Sequence, residues 1–436
     1  MSGAASSALS ARLRADYASA APALPASGAA RRRAALEALA AAGLPSARDE
    51  NWKYANLRPL ERQRFAAVAP VAPAQLPAGL PAPLAGAARY VFLDGAPLAP
   101  RAAAPRGIEV TPLSEALGDA APARPAVRPD ERLALLNQAF GADGLAIRVP
   151  AEVDGPEAAP ARLELLFVAS AEAHSGASYP SVALRLEPGA RLALIERHVS
   201  AHEAASFVSS AVTVELARGA RLEHYRLQEL NARSILFDTL AADLAGEASY
   251  RLHAFNTGAQ AARSTLGVRL AGERAALSLA VLALGDRQQV QDAYAVVEHA
   301  AAAARTEQVF RGIAAGRARV AFNGKIVVAP GARGTDSRQS LRGLLAGAEA
   351  EIDLRPQLEI HTDEVKCSHG ATAGKLDADM LFYLLSRGLD PEAAQRLLKW
   401  AFLEDVIARI ALPELRRQIE ARLVGQLRDE ALQELL

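Results

Sequence analysis

At 436 residues the chain can bury a large core, and its length implies about two or three domains. Its charge is balanced, 49 basic side chains against 49 acidic, which argues against a dedicated binder of nucleic acid or anionic membrane. A single cysteine forms no internal disulfide and suits a reducing, cytoplasmic setting. No unbroken apolar run is long enough to span a bilayer. The N-terminus lacks the charged, apolar, small-residue order of a secretory signal. Residues 1–35 share the Ala, Ser and Arg bias of a transit peptide, but the whole chain is alanine-rich, so the bias carries little.

The first elements are helical. Leu9, Leu13 and Tyr17 follow one face at intervals of four, and Leu36 and Leu39 follow another. Gly43-Leu44-Pro45 stops the second helix. Trp52 and Tyr54 then read as packing residues between these helices and their neighbours. Residues 64–88, rich in Pro and Ala, read as a connector. Arg89 to Gly95 reads as a strand entering a turn. Asp130 is a candidate N-cap for a helix with Leu133, Leu136 and Phe140 on its apolar face.

From about residue 160 the apolar period changes to two, as in Leu163, Leu165, Phe167 and in Val212, Val214, Leu216. A turn also repeats. Leu186-Glu187-Pro188-Gly189-Ala190-Arg191-Leu192 is echoed by Leu216-Ala217-Arg218-Gly219-Ala220-Arg221-Leu222, with weaker copies around Gly246 and Gly272. These glycines lie 30, 27 and 26 residues apart. Gly324 lies 52 beyond Gly272, as if two steps on, and Gly347 lies 23 further. Such a unit is too small to bury its own apolar face and must stack on copies of itself, which favours a parallel β-solenoid. A β-sandwich would space its turns more closely, at about 8 to 12 residues.

After Gly374 the period is helical again. Asp377 caps a helix carrying Leu381, Leu384 and Leu385. Asp390-Pro391 starts a second, with Leu397, Leu398, Phe402, Val406 and Ile407 on its apolar face, and Pro413 opens a third. Phe382, Tyr383 and Trp400 read equally as packing against the solenoid or as a surface for a partner. The expected division is 1–158, mostly helical with a linker; 159–372, the β core; and 373–436, a helical domain.

Chemistry concentrates at Cys367 and His369. If the segment is extended, side chains two apart leave the same face, whereas on a helix they diverge by about 200 degrees. Three readings compete: a buried thiol beside a satisfied imidazole, a nucleophilic cysteine with histidine as its base, and a soft-metal or iron–sulfur site. Two ligands do not complete a metal site, so the third reading needs a second subunit or loose, transient binding. His361 lies two residues from Asp363 on the same extended run, and with the other histidines, His174, His198, His202, His224, His253 and His299, no zinc-type spacing appears. Asn323-Gly324-Lys325 lacks the rest of a phosphate-binding loop, so the chain is not expected to hydrolyse ATP.

Several runs together resemble the SufB/SufD family of the SUF iron–sulfur assembly system, and within it the SufD branch. They are Phe310-Arg311-Gly312, Phe322 to Val328, Thr335 to Ser340, Leu358 to Thr372, Gly374 to Asp377 and Leu381 to Gly388, with Glu50 to Tyr54 near the N-terminus. The resemblance implies a right-handed parallel β-helix flanked by N- and C-terminal helical regions. It implies a non-catalytic scaffold that pairs with SufB through the β-helix and docks the ATPase SufC through its C-terminal helices, here Leu381, Phe382, Tyr383, Leu384, Leu398 and Phe402. It implies that His369, with Cys367 as second candidate, meets a transient iron–sulfur cluster shared with SufB, and that no cofactor is held by this chain alone. An exposed β-helix interface made for SufB would also allow the isolated chain to pair with itself, and the sequence leaves homodimer and monomer both open. The alternatives are a cysteine-dependent enzyme on a β-helix and a purely structural subunit.

Overall fold

A computed structural model describes residues 2–46, 48–55, 57–67, 76–98, 104–117, 130, 132–151, 159–170 and 176–427. His174 and part of the 64–88 connector lie outside the described residues. Helices α1 (Ser2–Ala20), α2 (Ala29–Ala42) and α3 (Arg132–Phe140) precede the regular strands. These strands are β1 (Ala161–Ala169), β2 (Ser181–Leu186), β3 (Arg191–Ser200), β4 (Ser206–Leu216), β5 (Arg221–Glu229), β6 (Ile235–Leu244), β7 (Ser249–Asn256) and β8 (Ala261–Leu270). They continue as β9 (Ala276–Gly285), β10 (Val290–His299), β11 (Arg305–Ala314), β12 (Arg319–Val328), β13 (Thr335–Leu345), β14 (Glu351–Ile360) and β15 (Val365–Gly374). Helices α4 (Ala378–Ser386), α5 (Pro391–Ile407) and α6 (Pro413–Leu427) follow.

Odd-numbered strands pair only with odd, and even with even, always in parallel. The chain therefore crosses from one sheet to the other at every turn, and each coil lies on the last as a parallel β-helix. Inward side chains alternate along each strand and form one continuous core, including Leu192, Leu222, Leu252, Leu279 and Phe310 from one sheet and Val214, Leu240, Val268 and Phe322 from the other.

The outer faces are covered by helices. On the even sheet, Trp52, Leu136 and Phe140 pack on Tyr179, Phe207 and Phe237. Trp52 is also held by polar contacts: its Nε1 donates to Asp130 at 2.5 Å, and the Arg263 guanidinium lies 4.7 Å from its ring centre. On the odd sheet, Trp400, Leu403, Val406, Leu415 and Ile419 of α5 and α6 pack on Tyr225, Phe255, Val309 and Ile313. Trp52 and Trp400 are thus core residues, and Tyr54 lies beneath the Arg319 guanidinium, 5.5 Å from its ring centre.

The turn glycines follow two rows, one on each edge of the flattened coil. Gly189 and Gly219 take positive φ, +72° and +69°. In the weaker copies the left-handed position passes to Glu247 and Arg274. Gly272 is needed there for a different reason: a Cβ would meet the backbone of Gly246 in the coil beneath. Gly324 is not a turn residue. It sits mid-strand in β12, and the true step beyond Gly272 runs through Ala303 to Gly334. Gly347 belongs to the opposite row of turns, one coil on from Gly316. Equal spacing alone did not separate a turn glycine from one that makes room inside the coil.

The interior also carries charge. Glu196 accepts from Arg226 at 2.7 Å and meets His198 at 2.9 Å and His224 at 3.1 Å. Arg226 forks onto Asp238 with two bonds of 2.7 Å. Burial opposes ionisation of Glu196, yet Arg226 and the two histidines hold its carboxyl well below the usual range.

Two further histidines are buried without charged partners. His253 stacks on Tyr225 at 4.9 Å, and burial pushes it down to about 4. His299 pairs with Thr306 at 2.8 Å, and burial likewise pushes it down to about 4. Both titrate lower when folded, so between about pH 6.5 and 4 the unfolded chain binds more protons and stability falls as pH falls. His253→Phe, which keeps the stack on Tyr225, should flatten this slope in denaturant unfolding measured across that range. An unchanged slope would show that His253 is protonated in the folded chain.

Candidate functional site

The two ends of the solenoid differ. At the first end, antiparallel strands at Ala96–Pro97 and Glu109–Pro112 close the two sheets. At the last end, β14 and β15 are the edge strands of their sheets, and among the described residues nothing pairs with their outer edges. Their side chains are correspondingly exposed or half-buried along the whole length. An open edge of this kind presents unpaired N–H and C=O groups and is a template for another chain.

Cys367 and His369 lie on β15, so they leave one face of an extended strand. Register shows that this face is the inner one. Cys367 lies over Ser337 and Thr306, and His369 lies over Gln339 and Gln308, on successive odd strands. Cys367 is half-buried against Ile326, Val328 and Leu358, while His369 is exposed at the mouth. At the same end, on the outer face of the even sheet, lie Lys325 of β12, Glu359 of β14 and, just past that strand, His361. Lys325 Nζ lies 2.6 Å from Glu359, and His361 Nε2 lies 3.0 Å from the same carboxylate, which these contacts hold below its usual range.

The surroundings of the thiol disfavour its thiolate. Burial, and then the Asp336 carboxylate, push Cys367 up from its ordinary value. A catalytic cysteine requires the opposite, a neighbouring cation or base that lowers it. Among the described residues there is no group of three or more His, Cys, Asp or Glu side chains arranged to hold a metal ion. Cys367 and His369 are therefore two ligand-type side chains at an open mouth, without the remainder of a coordination sphere. None of the described helices is long and apolar enough to cross a membrane.

The neighbouring helix α4 stands off the body. Asp377 caps it, accepting from Asp379 N at 2.9 Å and Met380 N at 3.0 Å, so it is well formed, yet none of its residues is buried. The exposed large apolar side chains among the described residues are Ile360, Met380, Phe382, Tyr383, Leu385 and Leu397, all at this end. Phe382 is 72% exposed and Tyr383 55%. Leu381 and Leu384, on the same helix, are half-buried, as is Leu398 on α5. Phe402 is turned the other way and packs on the cluster beneath α5 and α6.

Residues 167–402 match the family described as SUF system FeS cluster assembly, SufBD core domain. The chain belongs to the SufBD family. As a SufBD protein it is a scaffold component of the SUF iron–sulfur cluster assembly system. It is 31% identical to the iron–sulfur cluster assembly protein SufD of Escherichia coli over 395 residues, covering 90% of this chain and 91% of that protein. It is 27% identical to a SufBD family protein of Synechocystis over 414 residues, covering 89% of each.

The SufBD signature runs have structural reasons. Phe310 points into the core, and Arg311 points out and binds Asp405 of α5, pinning that helix to the sheet. Gln308 and Gln339 do not stand out in the sequence, being polar residues among the inward positions of apolar strands. Their parity with Phe310 and Leu341 already marked them as inward.

Cys367 is the chain's one thiol, so its alkylation can be followed directly. Iodoacetamide should react more slowly at neutral pH than with a free cysteine, and Asp336→Asn should speed the reaction by removing the nearby negative charge. Faster labelling than free cysteine would show an activated thiol.

Proposed function

We propose that this SufBD protein forms one half of a shared assembly site, pairing with SufB through the open end of its β-helix. The observation that carries this reading is the uncapped β14–β15 end, with His369 and Cys367 on its inner face and exposed apolar side chains beside it. A nascent iron–sulfur cluster is the cargo. The His369 imidazole supplies a ring-nitrogen ligand and Cys367 is the second candidate, while the ligands that complete the site come from SufB. His369 is the stronger candidate of the two, because it stands exposed at the mouth while Cys367 is half-buried. In the absence of SufB, the same edges suit pairing with a second copy of the chain.

The exposed face of α4 is proposed as the docking surface for the ATPase SufC, with Phe382 and Tyr383 at its centre and Leu381, Leu384 and Leu398 supporting it. Phe402 acts from beneath, through the packing of α5. The working division is an N-terminal region of 1–158, a β core of 159–372 that carries the SufB interface, and a C-terminal region of 373–436 that carries SufC.

His369→Ala should leave the complex with SufB and SufC intact on size exclusion but depress cluster formation followed by visible absorbance. Normal cluster formation by the mutant complex would make the chain a purely structural subunit. For SufC, removal of α4–α6 is a poor test because α5 and α6 cover the odd sheet. The pair Phe382→Ala and Tyr383→Ala is better, since both side chains are exposed. Loss of SufC with SufB binding retained is expected; retention of SufC by the double mutant would move the docking surface elsewhere.

A further inference from the structure

Beneath His369 lies a short ladder of amides. Gln308, Gln339 and His369 occupy the same register position on β11, β13 and β15, all on the inner face. Gln339 is 4% exposed and Gln308 1%. The Gln339 Nε2 donates to Gln308 Oε1 at 3.0 Å and to the Gly324 carbonyl at 3.1 Å. Two acceptors on one side fix the amide's orientation. Gln339 Oε1 is consequently buried and without a donor. An unpaired buried acceptor of this kind is costly, because it has given up water without gaining a donor.

Gly324 makes this arrangement possible. A Cβ at that position would stand 2.8 Å from Gln339 Nε2 and 2.9 Å from Gln308 Oε1, so any side chain would push the amides apart. The glycine of the Phe322-Asn323-Gly324-Lys325 run is thus explained by the amides packed across the coil from it.

The ladder has a direction. The Gln339 amide donates away from the mouth, so what it leaves for the next rung is an oxygen. Neighbouring strands are about 4.8 Å apart, which puts an imidazole at position 369 within reach of that oxygen. We propose that Gln339 is a positioning residue: its Oε1 accepts a hydrogen bond from one ring N–H of His369. A neutral imidazole that donates through one nitrogen must carry its lone pair on the other. Gln339 therefore selects the tautomer that presents a lone pair outward, toward a soft or borderline cation. Metal-binding histidines are commonly held in this way by an acceptor behind the ring. An amide turned the other way would engage the lone pair and leave only an N–H facing out, which binds no cation.

This inference rests on the reading of His369 as a cluster ligand, but its test has a separate readout. The full chain is labelled with 15N-histidine, and the His369 ring signals are assigned by their loss in His369→Ala. In its neutral form, His369 should populate one tautomer. Gln339→Met, similar in length but without the acceptor, should convert it to a mixture. In the complex with SufB and SufC the same variant should slow cluster formation by about tenfold. A mixture in the unmodified chain, or an unchanged tautomer in Gln339→Met, overturns the proposal. If Gln339→Met does not fold, Gln308→Met keeps the Gln339 oxygen but removes one of the two acceptors that orient its amide, leaving only the Gly324 carbonyl. It should loosen the tautomer preference, and an unaltered preference overturns the proposal equally. The two readings fail differently. Normal cluster formation by His369→Ala removes the ligand role and leaves the tautomer result standing. A tautomer mixture together with a cluster-deficient His369→Ala removes only the role of Gln339.

Discussion

The structure depends on the in-register stacking of parallel coils. Each strand has its backbone N–H and C=O groups satisfied by the strands before and after it in the same sheet, and each coil's inner apolar face is covered by its neighbours. No coil is stable alone, and none can be last without leaving groups unmatched. At the first end two short antiparallel strands meet that demand. At the last end the demand is left open on β14 and β15, and it is there that His369, Cys367 and the exposed side chains of α4 gather. The location of the candidate site follows from where the stack stops.

The two outer faces are closed by other means. The N-terminal helices and Trp52 seal the even sheet, while α5 and α6 seal the odd sheet through Trp400 and the contact between Arg311 and Asp405. Among the described residues, the large exposed apolar side chains gather at the open end, on α4 and at Leu397 of α5. The interior, in turn, is not uniform. Apolar layers fill most of it, but Glu196, His198, His224, Arg226 and Asp238 form a buried charged group near the start, and Gln308 and Gln339 form a polar pair near the mouth. Removing one partner from such a group leaves a buried charge uncompensated, which is costly, so these positions constrain the sequence as firmly as the apolar ones do.

Much of this was legible in advance. Period-two alternation and the recurring turn pointed to a solenoid, because a unit of that size cannot bury its own apolar face. Asp377 and Asp390 read correctly as caps, because capping is a local hydrogen bond set by neighbouring residues. The pair Cys367 and His369 read correctly as sharing a face once extended structure was assumed. Gly324 was misplaced in the row of turns, since its role depends on Gln308 and Gln339, which reach it from the opposite sheet. The scattered histidines were also opaque, because His198 and His224 meet only through Glu196 on a neighbouring rung.

By itself, then, the sequence determined the class of fold, the helix boundaries marked by caps and prolines, and the membership that its signature runs imply. These are properties of short windows, where spacing and side-chain type act directly on the backbone. Only the tertiary structure decided which face of β15 points inward, which end of the stack stays open, and which polar atoms are left without partners. Those depend on register between strands about 30 residues apart in the chain. A shift of one residue in that register would turn His369 and Gln339 to the outside without altering any local signal.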